Sequence, residues 1–261
     1  MAEGETLRVH HGGGVLTLTL DRPKANAFDL ALVDALGEAL RRAEGDAAVR
    51  CLVLTGAGRV FSAGQDVSAL AVDDGSISFR GHLERTYNRL ILRMRGLEKP
   101  IVGAINGAAA GAGLGVALAT DVRIAASSAR FVFGFTGIGL TADSGTSLML
   151  PLLIGLGRAA EMAFTNAPLD AEQALAFGLV NRVVSDEDLP AAAADLAASL
   201  AAGPTRALGL TKRAFQHSLL AALPAVLDYE AHLQEIAGRT EDHHEGVKAF
   251  LEKRAAVYRG A

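Results

Sequence analysis

Few side chains in this sequence stand where they could do chemistry together. Ser62 in VFSAG and Ser144 in ADSGT both lack the first glycine of a nucleophile elbow, and no histidine flanks either serine. His243–His244 in EDHHEG reads as the solvated start of a helix, a poor place for a metal pair. Two glycine-rich turns follow apolar runs. After Val49–Thr55 the order Gly56, Ala57, Gly58, Arg59, Val60, Phe61 lacks the third glycine of a dinucleotide loop. After Ile101–Ile105 the order Gly111, Ala112, Gly113, Leu114, Gly115, Val116 misses it by one position, and no strand ending in an acidic residue follows. No glycine precedes a lysine and a hydroxyl residue, so a P-loop is absent.

What is left is backbone chemistry. FSAGQD (Phe61–Asp66) follows one strand, and GAGLG (Gly111–Gly115) opens a helix after another. Small residues let a ligand approach the main chain, and a helix start offers free N–H groups at the positive end of its dipole. Two such loops facing one another could give two N–H donors to one carbonyl oxygen. Composition alone favours the plainer reading, glycines that merely permit tight turns and close packing.

The elements that must position these loops alternate between strand and helix. Thr6–His10 and Val15–Leu20 flank a turn at Gly12–Gly14, and Asp29 caps a helical run of leucines and alanines. Val49–Thr55, Ile101–Ile105, Val122–Ala125 and Arg130–Phe133 read as short buried strands. AVDDGSISF (71–79) reads as a loop and Arg80–Arg95 as a helix. From Ala159 onward the pattern is almost wholly helical, with Gly203–Pro204 as the boundary. The expected class is α/β, with a core over 1–202 and a helical subdomain over 203–261.

Composition removes whole classes of function. In 261 residues, 50% are hydrophobic and 21% charged, enough for a large core and against wholesale disorder. A net charge of −4 leaves no basic footprint for nucleic acid. Cys51, alone and inside CLVLT, reads as a buried structural thiol in a reducing compartment. The N-terminus lacks the apolar stretch of a signal peptide, and the richest apolar segment, Ile101–Thr120, is broken by glycines. The expectation is a cytoplasmic protein with no metal and no membrane partner.

Longer strings carry a resemblance. RPKANAF (Arg22–Phe28), GRVFSAGQDV (Gly58–Val67), KPIVGAINGAAAGAGLGVALATDVRIAA (Lys99–Ala126) and GIGLTADSGTS (Gly137–Ser147) resemble the crotonase, or enoyl-CoA hydratase/isomerase, superfamily in order and spacing. LDAEQALAFGLVNRVV (Leu169–Val184) and EDHHEGVKAFLEKR (Glu241–Arg254) are similar too, so nearly the whole chain is covered. The resemblance implies a crotonase-like spiral of ββα units with C-terminal helices that build homotrimers or homohexamers. It implies acyl-coenzyme A thioester substrates, with coenzyme A as part of the substrate and no prosthetic group. By position, the Gln65 and Ala112 main-chain N–H groups would form the oxyanion hole. Lys24, Ala25, Ala63, Asp66 and Val67 match stretches that hold the coenzyme. Phe250 and Lys253 match a C-terminal helix that touches coenzyme A, often across a subunit boundary; core packing explains Phe250 equally well.

Departures from the family point to the reaction. Its hydratases place one glutamate where this chain has Gly115 and another where it has Phe135. Without that pair, concerted addition of water lacks its acid and base. One carboxylate remains, Asp143, at the position of the catalytic aspartate in several isomerases of the superfamily, including the epoxide-opening isomerase of phenylacetate breakdown. The matching aspartate of 4-chlorobenzoyl-CoA dehalogenase is a nucleophile. Phe131, Phe133 and Phe135 would keep such a site dry and raise the aspartate's pKa. Asp143 could instead be a helix N-cap. Asp66 reads as structural, and Glu84 and Tyr87 fall on the variable helix that forms the acyl pocket in relatives. The expected function is therefore an enoyl-CoA or ring-epoxide acyl-CoA isomerase. The rivals are an enoyl-CoA hydratase, dehalogenase-like or thioester-hydrolase chemistry, and a non-catalytic acyl-CoA binding subunit.

Overall fold

In VLTLTL (Val15–Leu20) every second side chain turns inward, with Leu16, Leu18 and Leu20 buried between half-buried neighbours, the period of a strand with one face on a core. The computed structural model describes residues 6–23, 25–69 and 78–261. In it β1 (Leu7–Gly12) pairs antiparallel with β2 (Val15–Leu20) around Gly13 and Gly14, both at positive φ. Helix α1 (Leu30–Gly45) starts at Asp29, whose carboxylate accepts the Leu32 N–H at 2.8 Å.

The chain then sends paired strands to two sheets: β3 (Cys51–Gly56) with β4 (Val60–Ser62), β5 (Ile101–Ile105) with β6 (Ala108–Ala110), and β7 (Val122–Ala126) with β8 (Arg130–Val132). Helices α2 (Phe79–Arg85) and α3 (Tyr87–Gly96) separate the first pair from the second, and α4 (Ala112–Leu118) separates the second from the third. After them come α5 (Thr146–Ile154), α6 (Leu156–Thr165), β9 (Leu169–Asp170), α7 (Ala171–Phe177), β10 (Arg182–Val184) and α8 (Leu189–Ala202). Three helices end the chain: α9 (Thr205–Leu219), α10 (Leu223–Ala237) and α11 (Glu241–Glu252). Among the described residues one sheet runs β1-β2-β3-β5-β7-β10, parallel from β2 on, and the other runs β4-β6-β8-β9 with only β9 antiparallel. This is the expected α/β spiral of ββα units.

Strand β3 is buried on both faces, which explains its unbroken apolar run. Leu52 and Leu54 join the main core, while Cys51 and Val53 meet α8 through Ala193, Ala197 and Ala201, small residues at four-residue steps. The Cys51 thiol is fully buried, and that burial pushes its pKa up to about 12, so it is inert. Leu223, Leu227 and Ala231 of α10 belong to the main core, so the final helices pack on the same interior as the strands.

Several expectations need correction. The helix expected over Arg80–Arg95 is two helices that break at Thr86 (φ −112°, ψ −93°), whose N–H and hydroxyl both donate to the His82 carbonyl. The region after Ala159 also contains β9 and β10; β10 is the ValVal pair added to the edge beside β7. Of the loop expected over 71–79, residues 71–77 lie outside the described residues, and Phe79 already opens α2. The start of α11 is not wholly solvated: His243 is buried, its Nδ1 bonded to the Ile138 carbonyl at 2.8 Å. Among the described residues no helix is long and apolar enough to cross a membrane, and no group of three metal-ligating side chains gathers.

Candidate active site

The two glycine loops lie against one another. Gly64 sits at φ +84°, and a Cβ there would fall 2.6 Å from the Ala110 carbonyl oxygen and 3.2 Å from the Ala112 nitrogen, so only glycine allows the approach. The first loop is held from outside by the segment Ala25–Phe28. Ala63 N–H donates to Ala25, Phe28 N–H to Gly64, and Asp66 N–H to Phe28. Alternation along that bridge turns the intervening Gln65 N–H the other way, and it has no partner among the described residues. The second loop ends at Gly111 (φ 54°, ψ −127°), and Ala112 opens α4, whose first N–H groups have no acceptor within the helix.

Both loops border one cavity of about 250 Å³. Its apolar wall includes Val67, Leu83, Phe135, Ile138 and Leu140; its polar groups are Gln65, His82, Tyr87, Asp143, Asn166 and Gln234. A larger surface groove of about 1020 Å³, beside α8 and the β1–β2 turn, shares none of these residues.

Asp143 is the one carboxylate lining the cavity among the described residues. It is 7% exposed, and burial pushes its pKa up to about 7. Ser144 Oγ donates to one oxygen at 2.7 Å and Gln234 Nε2 to the other at 3.0 Å, both pulling the pKa down, while the nearby Glu230 charge pushes it up. Asp143 is not the helix cap. Ser144 (φ 57°) and Gly145 (φ 73°) form a tight turn closed by Thr146 N–H on the Asp143 carbonyl, and α5 begins after Gly145. The cap comes from α10: Glu230, 2% exposed, accepts the Gly145 N–H at 2.8 Å and the Ser147 N–H at 2.9 Å.

The two positions that depart from the family's glutamates have a physical account. A Cβ at Gly115 would lie 2.5 Å from Ser144 Cβ and 3.0 Å from Thr146 Oγ1, so no side chain fits while the Asp143 turn keeps its place. Gly115→Ala is therefore expected to cost about 1–3 kcal/mol through overpacking. Equilibrium urea unfolding checks this, and an unchanged midpoint would mean that the turn yields freely. Phe135 lines the cavity and packs edge-on against Phe133 at 5.1 Å between centroids. Of the expected phenylalanine wall only Phe135 reaches the cavity; Phe131 and Phe133 are buried in the core, and Phe135 leaves their face because β8 ends at Val132 and Gly134 (φ 79°) breaks the strand's alternation.

The structure brings Gln65, Ala112, Asp143, Ala63, Val67 and Phe250 around one cavity. Phe250 is 59% exposed, so core packing does not account for it. Asp66 does not line the cavity. Its carboxylate takes both the Ser68 N–H and hydroxyl, together with Arg22, which hold it below the usual carboxylate range. Ala25 (φ 63°) lies behind the first loop, Lys253 (φ 55°) ends α11 in the open, and Lys24 lies outside the described residues. Glu84 points to solvent and pairs with Arg80. Sequence reasoning missed His82, Gln234 and Glu230. The last two were detectable, because the helical period of α10 places both on its buried stripe with Leu223, Leu227 and Ala231.

Comparison with known proteins identifies the relatives of this chain. The family model for enoyl-CoA hydratase/isomerase matches residues 10–261. The chain is 44% identical to the 1,2-epoxyphenylacetyl-CoA isomerase of Escherichia coli (strain K12), over 98% of this chain and 99% of that one. It is 37% identical to 4-chlorobenzoyl coenzyme A dehalogenase-2 of Arthrobacter sp, covering 86% of this chain and 82% of the other. A crystal structure of an enoyl-CoA hydratase from Mycobacterium avium subsp. paratuberculosis K-10 superposes with a TM-score of 0.87 at 31% identity, over 98% of this chain and 99% of that one. A family match over residues 10–261, a relative at 44% identity along 98% of the chain and a shared fold lead to one conclusion: this chain belongs to the enoyl-CoA hydratase/isomerase family.

Proposed function

We propose that this chain is an acyl-CoA isomerase in which Asp143 moves a proton along the acyl group. The Gln65 and Ala112 N–H groups would hold the thioester oxygen as it gains charge. The Asp143 carboxylate takes a proton from the α carbon, and the C–H electrons pass into the enolate. The protonated Asp143 then returns the proton to the γ carbon, so the double bond moves and the mass does not change. A base that both removes and returns the proton needs no second carboxylate. The observation that carries this reading is the one carboxylate that lines the cavity among the described residues, buried and poised near neutrality among largely apolar walls, beside two main-chain N–H groups with no partner among those residues.

Two acyl classes suit such a base, a 3-enoyl thioester and a ring-epoxide arylacetyl thioester; the 44% identity to an epoxyphenylacetyl-CoA isomerase supports the second. Coenzyme A enters as part of the substrate, with Ala63 and Val67 at the cavity wall and Lys24, Ala25 and Asp66 as the further contacts that the family resemblance implies. Phe250 and Lys253 would meet it from α11. Assembly as a trimer or hexamer, in the cytoplasm, completes the reading; exposed apolar side chains at Leu156, Phe164, Phe215 and Leu219 support an interface between copies. Hydration of a 2-enoyl thioester is the second reading. It is favoured by His82, another titratable group lining the same cavity.

Mass-resolved product analysis with 3-enoyl-, 2-enoyl- and ring-epoxide phenylacetyl-CoA tests this. A new chromatographic species of unchanged mass, lost in Asp143→Asn, is the expected result. Gain of one water by the 2-enoyl substrate would overturn the isomerase reading.

A further inference from the structure

Tyr87 is 1% exposed, and its hydroxyl needs an acceptor. It finds Gln65 Oε1 at 2.7 Å, and His82 Nε2 reaches the same oxygen at 3.2 Å. Burial holds the Tyr87 phenol well above its ordinary pKa and lowers that of His82, so both remain neutral. A neutral phenol and a neutral imidazole with its hydrogen on Nε2 both donate to Oε1. Two donors on one oxygen decide which way the amide faces. The oxygen turns toward α2 and α3, and Nε2 is left with no partner among the described residues. Gln65 lines the acyl cavity, where the groups around it include Val67, Leu83 and Phe135.

We propose that the Gln65 side-chain amide sets substrate specificity by donating a hydrogen bond to an oxygen carried on the acyl group. This rests on the acyl-CoA reading above and narrows it. A plain hydrocarbon chain filling the cavity strips water from Nε2 and returns nothing, whereas an oxygen satisfies it. A site built to bond a polar atom discriminates strongly against the analogue without it, far more than an apolar pocket discriminates by size. The amide hangs from the same residue whose main-chain N–H faces the thioester oxygen. The atom it reads therefore lies close to the thioester, at the β or γ carbon of a chain or the ortho position of an arylacetyl group. A ring-epoxide arylacetyl thioester carries an oxygen there; a simple 3-enoyl thioester does not.

The test uses two stable thioesters of matched size, 2-methoxyphenylacetyl-CoA and 2-ethylphenylacetyl-CoA, with binding measured by titration calorimetry. Wild type is expected to bind the methoxy compound about tenfold more tightly. The double variant Q65M/Y87F removes the amide without orphaning the buried phenol, and it is expected to bind the two alike. Equal binding by wild type, or a preference that survives in the double variant, overturns the inference. Failure of wild type to bind either compound overturns the acyl-CoA reading itself, and this inference with it.

Discussion

Replacing Asp143 by Asn is expected to lower the rate of isomerisation by about 10²–10⁴-fold, the usual contribution of a positioned general base. The loss should fall on kcat with little change in KM, because Asn keeps the volume and its polar contacts. Gln234 is locked by accepting the Thr141 N–H at 3.2 Å on Oε1, so its Nε2 still donates to the Asn oxygen. The Asn amide then donates to Ser144 Oγ. In wild type the base acts as the ionised carboxylate, so kcat/KM should rise along one limb as pH passes through about 7. In the variant that limb should be absent. A pH-independent wild-type rate between pH 5 and 9 would show that Asp143 is not the group whose ionisation matters.

The same shift fixes the sign of a stability effect. The folded pKa of Asp143 is about 7 against an ordinary aspartate value of 3.8, so the folded state holds this proton more tightly than the unfolded chain. Stability from that group is fully present below the unfolded value and is lost as pH rises through the folded one. Asn carries no such dependence. Asp143→Asn should therefore be more stable than wild type at pH 8, with the gain shrinking toward pH 4. Opposite signs on activity and stability separate a strained functional group from one that merely packs.

How much of this was legible in the sequence differs from one part of the site to another. The oxyanion loops were plain, because their work is done by main chain and glycine, and glycines at fixed spacing after apolar runs are visible without coordinates. Asp143 was visible for the opposite reason, as the one carboxylate left where the family's glutamates are replaced. The partners of these groups were visible only as polar residues on a buried helical stripe, not as partners. Gln234 and Glu230 lie 91 and 85 residues away from the atoms they bond, so no local pattern links them. The break at Thr86 was also hidden, since a hydroxyl folding back on the preceding turn leaves the apolar period intact on both sides. Yet that break is what lets His82 and Tyr87 meet on Gln65. The reason for Gly115 emerged only with the turn packed against it, because a vacancy in one helix is defined by what fills it from elsewhere.

Glu230 carries the second large prediction. Its carboxylate takes two main-chain N–H groups at the start of α5, one oxygen to each, and that geometry suits an ionised carboxylate and no neutral side chain. Glu230→Ala leaves both N–H groups buried and unpaired, and is expected to cost about 2–4 kcal/mol of stability. Equilibrium unfolding in urea measures it. Glu230→Gln keeps the shape but sets an amide donor against one N–H donor, so it should fall between the two. Both variants also remove a negative charge that raises the Asp143 pKa. The acidic limb of kcat/KM should therefore move to lower pH in each, whatever becomes of the maximal rate. A purely structural role predicts lower stability with the limb unmoved. A shift without loss of stability would mean that the turn around Ser144 and Gly145 finds other acceptors. The two readouts moving together would place the control of the catalytic carboxylate on α10, outside the glycine loops that first drew attention to the site.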